Sequence, residues 1–288
     1  MIKIKINEPL SKYTSFGLGG VADVFMDCEN LKDLKKILHM AERERLGVFI
    51  LGAGTNLLVK DKGIRGLVVR LKGEFEKIKV SGNTLICGAG VRLNKVLNIS
   101  LREGLNGLEF LAGIPGTVGG AVFMNAGIKE KEIKDVLNNV TVIDEKGHSR
   151  RIKRENIKFG YRESEFKFNN LIIIYVKFKL KKDKKDDVKN RIKIFLNKRK
   201  ELQPLKGSSA GCVFKNPEGD GAGRIIQECK LKGVRIGKVR VSQKHANFLI
   251  NEGNSSKDVI RLINKIKKVV KEKKGIKLEE EIIIVGEG

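Results

Sequence analysis

The chain has 288 residues, enough to bury a sizeable core but more than one domain commonly holds, so two or three packed subdomains are expected. No stretch approaches the ~20 apolar residues of a membrane span, and the N-terminal MIKIKINEPL lacks the apolar run of a signal peptide, which points to a soluble, cytoplasmic protein. The net charge of +25, from 59 Lys+Arg against 34 Asp+Glu, is spread over the polar faces of predicted helices. With three Tyr and no Trp it lacks the aromatic interleaving that stacks bases, so it argues for solvated surfaces and against a nucleic-acid partner.

In chain order, Asn30 followed by Leu31, Leu34, Ile37, Leu38 and Ala41 predicts an N-capped helix with one apolar face, ended by Gly47. Val48 to Leu51 reads as a buried strand. Leu67 to Leu71, Thr84 to Cys87, Val140 to Asp144 and Leu171 to Leu180 are further strands, rich in Val and Ile. Leu93, Val96, Leu97 and Leu101 mark a helix closed by Gly104. Lys181 to Lys189 is expected as an exposed hinge, leading into a helix with Val188, Ile192, Phe195, Leu196 and Arg199 on one face and Pro204 beyond its end. After a glycine-rich stretch from Gly207 to Gly223 come a short helix around Ile225, a long helix on Val259, Leu262, Ile263, Ile266, Val269 and Val270, and a closing strand from Glu281 to Val285.

Cys28, Cys87, Cys212 and Cys229 form no CxxC pair and are accompanied only by His39, His148 and His245, so neither a metal site nor a disulfide framework is expected. The 32 glycines exceed the ordinary ~7% and cluster in SFGLGG, LGAGTNLLV, GAGV and LAGIPGTVGGAVFMNAG, which points to loops where backbone approaches a ligand. LGAGTNLLV follows a strand, but Leu57 stands where a dinucleotide fingerprint needs its last glycine and no helix pattern follows, so the Rossmann reading fails. What remains is either a plain tight turn or an anion-binding nest of backbone N–H groups around Asn56. LAGIPGTVGGAVFMNAG offers little side chain to pack a core, which favours contact with a flat or extended ligand.

YTSFGLGG, LGAGTNLLV, GLEFLAGIPGTVGGAVFMNAG, FGYRES, AGCVFKNP, VSQKHANFLIN and LEEEIIIVG, in this order from about Pro9 to Gly286, resemble the UDP-N-acetylenolpyruvoylglucosamine reductase family. The resemblance implies an α+β chain: an FAD-binding fold of the vanillyl-alcohol-oxidase (PCMH) type in two subdomains, then a C-terminal α/β substrate-binding domain. The expected divisions are 1–75, 76–203 and 204–288. The implied activity is reduction of UDP-N-acetylglucosamine-enolpyruvate to UDP-N-acetylmuramate in peptidoglycan precursor synthesis, with FAD as cofactor and NADPH as electron donor. The implied cofactor contacts are Gly52, Ala53, Gly54, Thr55, Asn56 and Leu57 on one loop, and Gly113, Pro115, Gly116, Thr117, Gly119, Gly120, Asn125 and Gly127 on the other. Relatives with covalent flavin use a nearby histidine; none adjoins these motifs, so FAD is expected to be non-covalent. The stretch between Tyr175 and Pro204 is too short for the tyrosine-bearing loop of the family's longer form.

Reducing an enolpyruvyl ether needs a hydride at the terminal vinyl carbon, a partner for the charge pushed into the carboxylate, and an acid for the adjacent carbon. In the family's motifs Arg162 and Glu281 match the two stabilising positions, and a guanidinium can hold a carboxylate through two hydrogen bonds. Glu281 faces negative charge usefully only if it keeps a proton, so its pKa is expected to be raised. Cys212 stands where many members carry serine at the proton-donor position; an ordinary thiol, with a pKa of about 8.5, is protonated at neutral pH and is a far better acid than an alcohol. Lys215 is expected either to meet the substrate's diphosphate or to be a solvated surface lysine, and Asn216 and Tyr161 are expected to contact substrate; His245 and Asn247 lie in the matched region, where either could instead satisfy a backbone hydrogen bond. Two other readings stay open: another flavoprotein of this fold acting on a different alcohol or sugar, and, from charge alone, a basic nucleic-acid-binding protein.

Overall fold

The computed structural model describes residues 3–288; of the segment MIKIKINEPL, Met1 and Ile2 lie outside the described residues. Helix α1 (Leu31–Arg43) forms where the apolar period predicts it. The Asn30 side chain accepts the Asp33 N–H at 2.9 Å, and Leu34, Ile37, Leu38 and Ala41 are buried, contributing about 1.5–3 kcal/mol for each full-sized apolar side chain. The helix ends earlier than Gly47. Leu46 N–H reaches the Ala41 carbonyl at 2.8 Å and Arg45 N–H the Glu42 carbonyl at 3.2 Å, a Schellman closure with Arg45 at φ +55°. A left-handed residue other than glycine costs about 1–2 kcal/mol. Because Arg45 is exposed, Arg45→Gly is expected to stabilise the protein by roughly 0.5–1 kcal/mol. Thermal unfolding should show a rise of about 1–3 °C; a fall would refute the strain.

Contacts divide the described chain into two compact units, one of residues 3–5, 25–53 and 66–199, the other of 6–24, 54–65 and 200–288. The break at 199/200 lies close to the expected one at 203, but 66–199 is undivided at 75, and residues 6–24 and 54–65 group with the C-terminal part. The reason is register. Leu57–Val59 pairs in parallel with Ile283–Val285, and Phe16, Leu18 and Leu58 are buried in one core with Val213, Phe214, Ile225, Leu262 and Ile266.

The first unit carries α1, α2 (Leu93–Arg102), α3 (Val118–Phe123) and the body of α4 (Lys185–Leu202). A four-stranded sheet runs in the order Lys3–Pro9, Val21–Cys28, Ile64–Leu71, Val48–Ile50, the last two parallel; Val48–Ile50 is half-buried because it sits at the sheet's edge. A five-stranded antiparallel sheet has the order Ser149–Lys153, Leu137–Ile143, Ile172–Lys179, Thr84–Gly88, Ile78–Ser81. Alternate residues Leu85, Cys87, Val140, Val142, Val176 and Phe178 are buried, as the two-residue period of strands requires. Gly104, at φ +60°, closes α2 as expected. Of α4's apolar residues only Val188 is fully buried. The expected hinge is tied down: Lys181–Lys182 pairs with Leu105–Asn106, and the Asp183 carboxylate takes Asn106 Nδ2 at 2.8 Å and Arg191 Nη2 at 2.5 Å. Those two hydrogen bonds hold its pKa below the usual range.

The second unit holds α5 (Ala222–Glu228), α6 (Ser256–Lys274) and a three-stranded sheet of Arg235–Ile236, Val239–Val241 and Leu249–Asn251. Helix α6 begins with the Ser255 side chain accepting Lys257 N–H, while the Asp61 carboxylate accepts Ser255 Oγ at 2.7 Å and Ser256 N–H at 2.6 Å. The chain's closing strand is shorter than expected, Ile283–Val285.

Candidate active site

In the first unit the glycine-rich run is more than a bare loop. Helix α3 forms inside it, capped by the Thr117 side chain accepting Gly120 N–H at 3.3 Å, and Val118, Ala121 and Val122 are buried. Gly119 is used for packing: its N–H donates to the Ala89 carbonyl at 2.8 Å, and a Cβ there would lie 2.9 Å from Ala89 Cβ. Gly88 and Gly90 likewise admit backbone, since a Cβ at either would meet the Phe75 or Leu71 carbonyl within 2.2 Å. At GAGV and at Gly119 the missing side chain thus serves the packing of backbone on backbone. Gly113, Pro115 and Gly120 remain exposed. Gly52, distant in sequence, lies beside Thr117, whose Oγ1 is 3.0 Å from where a Cβ on Gly52 would stand.

Arg162 occupies the second position of a two-residue turn closed by the pair Gly160 and Glu163, at φ +56°. Its Nη2 donates to the Gly127 carbonyl at 2.8 Å, its Nη1 lies 3.5 Å from Glu132 Oε1, and its guanidinium carbon sits 4.9 Å from the centre of the half-exposed Tyr161 ring. The fold thus brings together Tyr161, Arg162, Gly127 and Asn125. The Asn125 side chain, fully buried, donates from Nδ2 to Glu132 Oε2 and to the Gly160 carbonyl, both at 2.9 Å, and accepts Lys134 N–H at 3.2 Å. It organises the site from within. Glu132 escapes sequence reasoning because, in the charged run Lys129 to Asp135, one glutamate reads like any other solvated charge.

In the second unit three motifs run side by side. Asn56 Nδ2 donates to the Glu281 carbonyl at 3.1 Å and Ile283 N–H to the Asn56 carbonyl at 3.0 Å, beside Gly54, Thr55 and Leu57. Glu281 N–H donates to Val213 O at 2.7 Å and Lys215 N–H to Glu279 O at 2.8 Å, so Cys212 and Glu281 stand on adjoining segments. Cys212 is partly buried, and Lys215 Nζ is 3.6 Å from Glu279 Oε2. Asn247 is buried and uses its whole side chain on backbone, donating to Phe214 O at 2.8 Å and accepting Phe214 N–H at 2.9 Å. His245 Nδ1 accepts Asn247 N–H at 3.2 Å; burial, then Lys232, lowers its pKa, which keeps the ring neutral. Asn216 Oδ1 accepts Ala222 N–H at 3.0 Å at the start of α5. For His245, Asn247 and Asn216 the backbone role is the observed one.

A cleft of about 340 Å³ in the first unit, lined by Gly107, Phe110, Ile128, Arg191 and Phe195 among others, includes none of the expected site residues. Among the described residues no helix is long and apolar enough to cross a membrane, and no group of three or more His, Cys, Asp or Glu is placed to hold a metal ion.

Residues 203–285 match the family model for the UDP-N-acetylenolpyruvoylglucosamine reductase C-terminal domain, and residues 22–153 that for an FAD binding domain. The chain is 42% identical over 286 residues to the UDP-N-acetylenolpyruvoylglucosamine reductase of Clostridium novyi, covering 99% of this chain and 93% of that protein. It is 40% identical over 286 residues to the reductase of Syntrophomonas wolfei, covering 99% and 96%. Among solved structures, UDP-N-acetylenolpyruvylglucosamine reductase from Thermus caldophilus is similar with a TM-score of 0.85 at 38% identity, over 99% of this chain and 98% of that one.

Proposed function

The chain belongs to the UDP-N-acetylenolpyruvoylglucosamine reductase family, an α+β protein of the PCMH-type FAD-binding fold with a C-terminal domain, and from that premise we propose that it reduces UDP-N-acetylglucosamine-enolpyruvate to UDP-N-acetylmuramate in the cytoplasm, using non-covalent FAD and NADPH. The observation that carries this reading is Arg162, a guanidinium held by a carbonyl and a carboxylate on a backbone conformation few arginines adopt. Strained backbone of this kind clusters at functional sites, and here, unlike at Arg45, it is not the closing residue of a helix.

The residues present fit a flavin diphosphate. Thr117 is buried, and among the described residues its backbone N–H donates to no group of the chain; a buried donor of this kind needs an acceptor. Gly52 keeps the space beside it clear. Bound there, FAD would supply the hydride, received from NADPH and delivered to the vinyl carbon. Arg162 binds the substrate carboxylate and balances charge as it grows. Cys212 Sγ–H gives its proton to the adjacent carbon, completing the addition of two hydrogens across the double bond. Glu281, on the segment beside Val213, stabilises the same charge through a retained proton. Lys215 pairs with the diphosphate as a point charge.

The test is spectroscopic. Purified protein, supplied with FAD, should show the oxidised flavin band, lose it anaerobically on NADPH, and regain it promptly on UDP-N-acetylglucosamine-enolpyruvate. Bleaching without recovery would refute the substrate, and absence of bound flavin would refute the cofactor.

A further inference from the structure

We infer that Glu132 is a positioning residue for this reaction, acting through Arg162; the inference rests on the function proposed above. Residues Ala126 to Ile133 form a tight hairpin in which Gly127 and Glu132 face each other, closed by Ile128 N–H to Lys131 O and Ile133 N–H to Ala126 O, both at 2.9 Å. That pairing presents one backbone carbonyl and one carboxylate to the two terminal nitrogens of Arg162: Gly127 O takes Nη2 at 2.8 Å and Glu132 Oε1 lies 3.5 Å from Nη1. Only glycine fits at Gly127, because a Cβ would stand 2.3 Å from Lys131 O.

The carboxylate is itself fixed. Its second oxygen receives Asn125 Nδ2 at 2.9 Å and Lys134 Nζ at 2.7 Å, and its backbone N–H donates to Asp135 Oδ2 at 2.8 Å. Asn125 also donates to Gly160 O, the residue that opens the Arg162 turn, so one buried amide ties the Glu132 hairpin to the Arg162 hairpin. From the far side Lys167 Nζ holds the Arg162 carbonyl at 2.8 Å. Both carboxylate and guanidinium are largely sheltered, at 13% and 15% side-chain exposure, where an ion pair is screened less than at the surface. A long arginine side chain otherwise samples many rotamers; Glu132 selects the one that faces substrate. Its contribution belongs to the step in which carboxylate charge grows, and not to flavin reduction.

The experiment is a double-mutant cycle on the intact flavoprotein. Glu132→Gln removes the charge but keeps an oxygen for Asn125. It should slow reoxidation of NADPH-reduced flavin by the enolpyruvyl substrate about ten- to hundredfold, mainly in kcat, leaving flavin content and NADPH bleaching at parental values. In an Arg162→Lys background the same change should have no further effect. Equal, additive losses in both backgrounds, or a loss of NADPH bleaching matching the loss of turnover, would overturn the positioning role while leaving the function standing. A parent that never reoxidises on substrate takes down both. Should Glu132→Gln fail to retain flavin, Glu132→Asp, which keeps the charge on a stem one methylene shorter, is read in the same cycle with the same outcomes.

Discussion

Arg162→Lys is expected to lower the rate of flavin reoxidation by the enolpyruvyl substrate by roughly two to three orders of magnitude, while NADPH still bleaches the flavin at the parental rate. The size follows from removing one preorganised donor aimed at developing charge, which costs about 10²–10³ in rate. Lysine keeps the charge but loses the planar fork, and so cannot span two acceptors while presenting a third N–H to substrate. In the structure one nitrogen is engaged by Gly127 O and another lies against Glu132, so the orientation is set by geometry that an ammonium cannot reproduce. Stopped-flow measurement of each half-reaction decides it. A variant reoxidised at the parental rate would remove Arg162 from the chemistry.

Cys212→Ala should slow the same half-reaction by about 10²–10⁴, the usual contribution of a positioned general acid, and Cys212→Ser should restore most of it. Backbone bonds hold the segment in the variant as in the parent: Val213 N–H donates to Asn247 O at 2.8 Å, Val213 O accepts Glu281 N–H at 2.7 Å, and Cys212 bridges Phe248. Flavin content and the NADPH step should therefore match the parent. Because a hydroxyl is the weaker acid, any loss of activity at alkaline pH should move upward in the serine variant. Near-parental turnover by the alanine variant would show that the proton comes from elsewhere.

Elements whose burial is local were legible in the sequence. Helices α1 and α6 each carry an apolar stripe and a side-chain cap, and α6 stops at Gly275 in the left-handed conformation. Helix α3 was not legible, because Gly119 and Gly120 are poor helix formers and the helix is held by its packing on Ala89 and Val91. Nor was the grouping of residues 54–65 with the C-terminal part, since pairing of Leu57–Val59 with Ile283–Val285 is a long-range register that no local pattern records. For the candidate site, family motifs point to Arg162, Cys212 and Glu281. They did not distinguish a side chain that meets a ligand from one that serves the backbone. The hydrogen bonds that Asn247 and Asn125 make within the chain are visible only in the structure.

The pairing of early and late segments in the second unit also sets an order of events during synthesis. Asn56 and Glu281 are 225 positions apart, yet each fixes the other's backbone. Until the last strand leaves the ribosome, the loop from Gly54 to Leu57 has no template, and Phe16, Leu18 and Leu58 lack the walls of their core. Loop closure over such a span is slow, and it leaves apolar surface exposed in the meantime. The nascent chain therefore orders the loop from Gly54 to Leu57 only after Ile283–Val285 has been made, and a chain cut before that strand cannot complete the pairing.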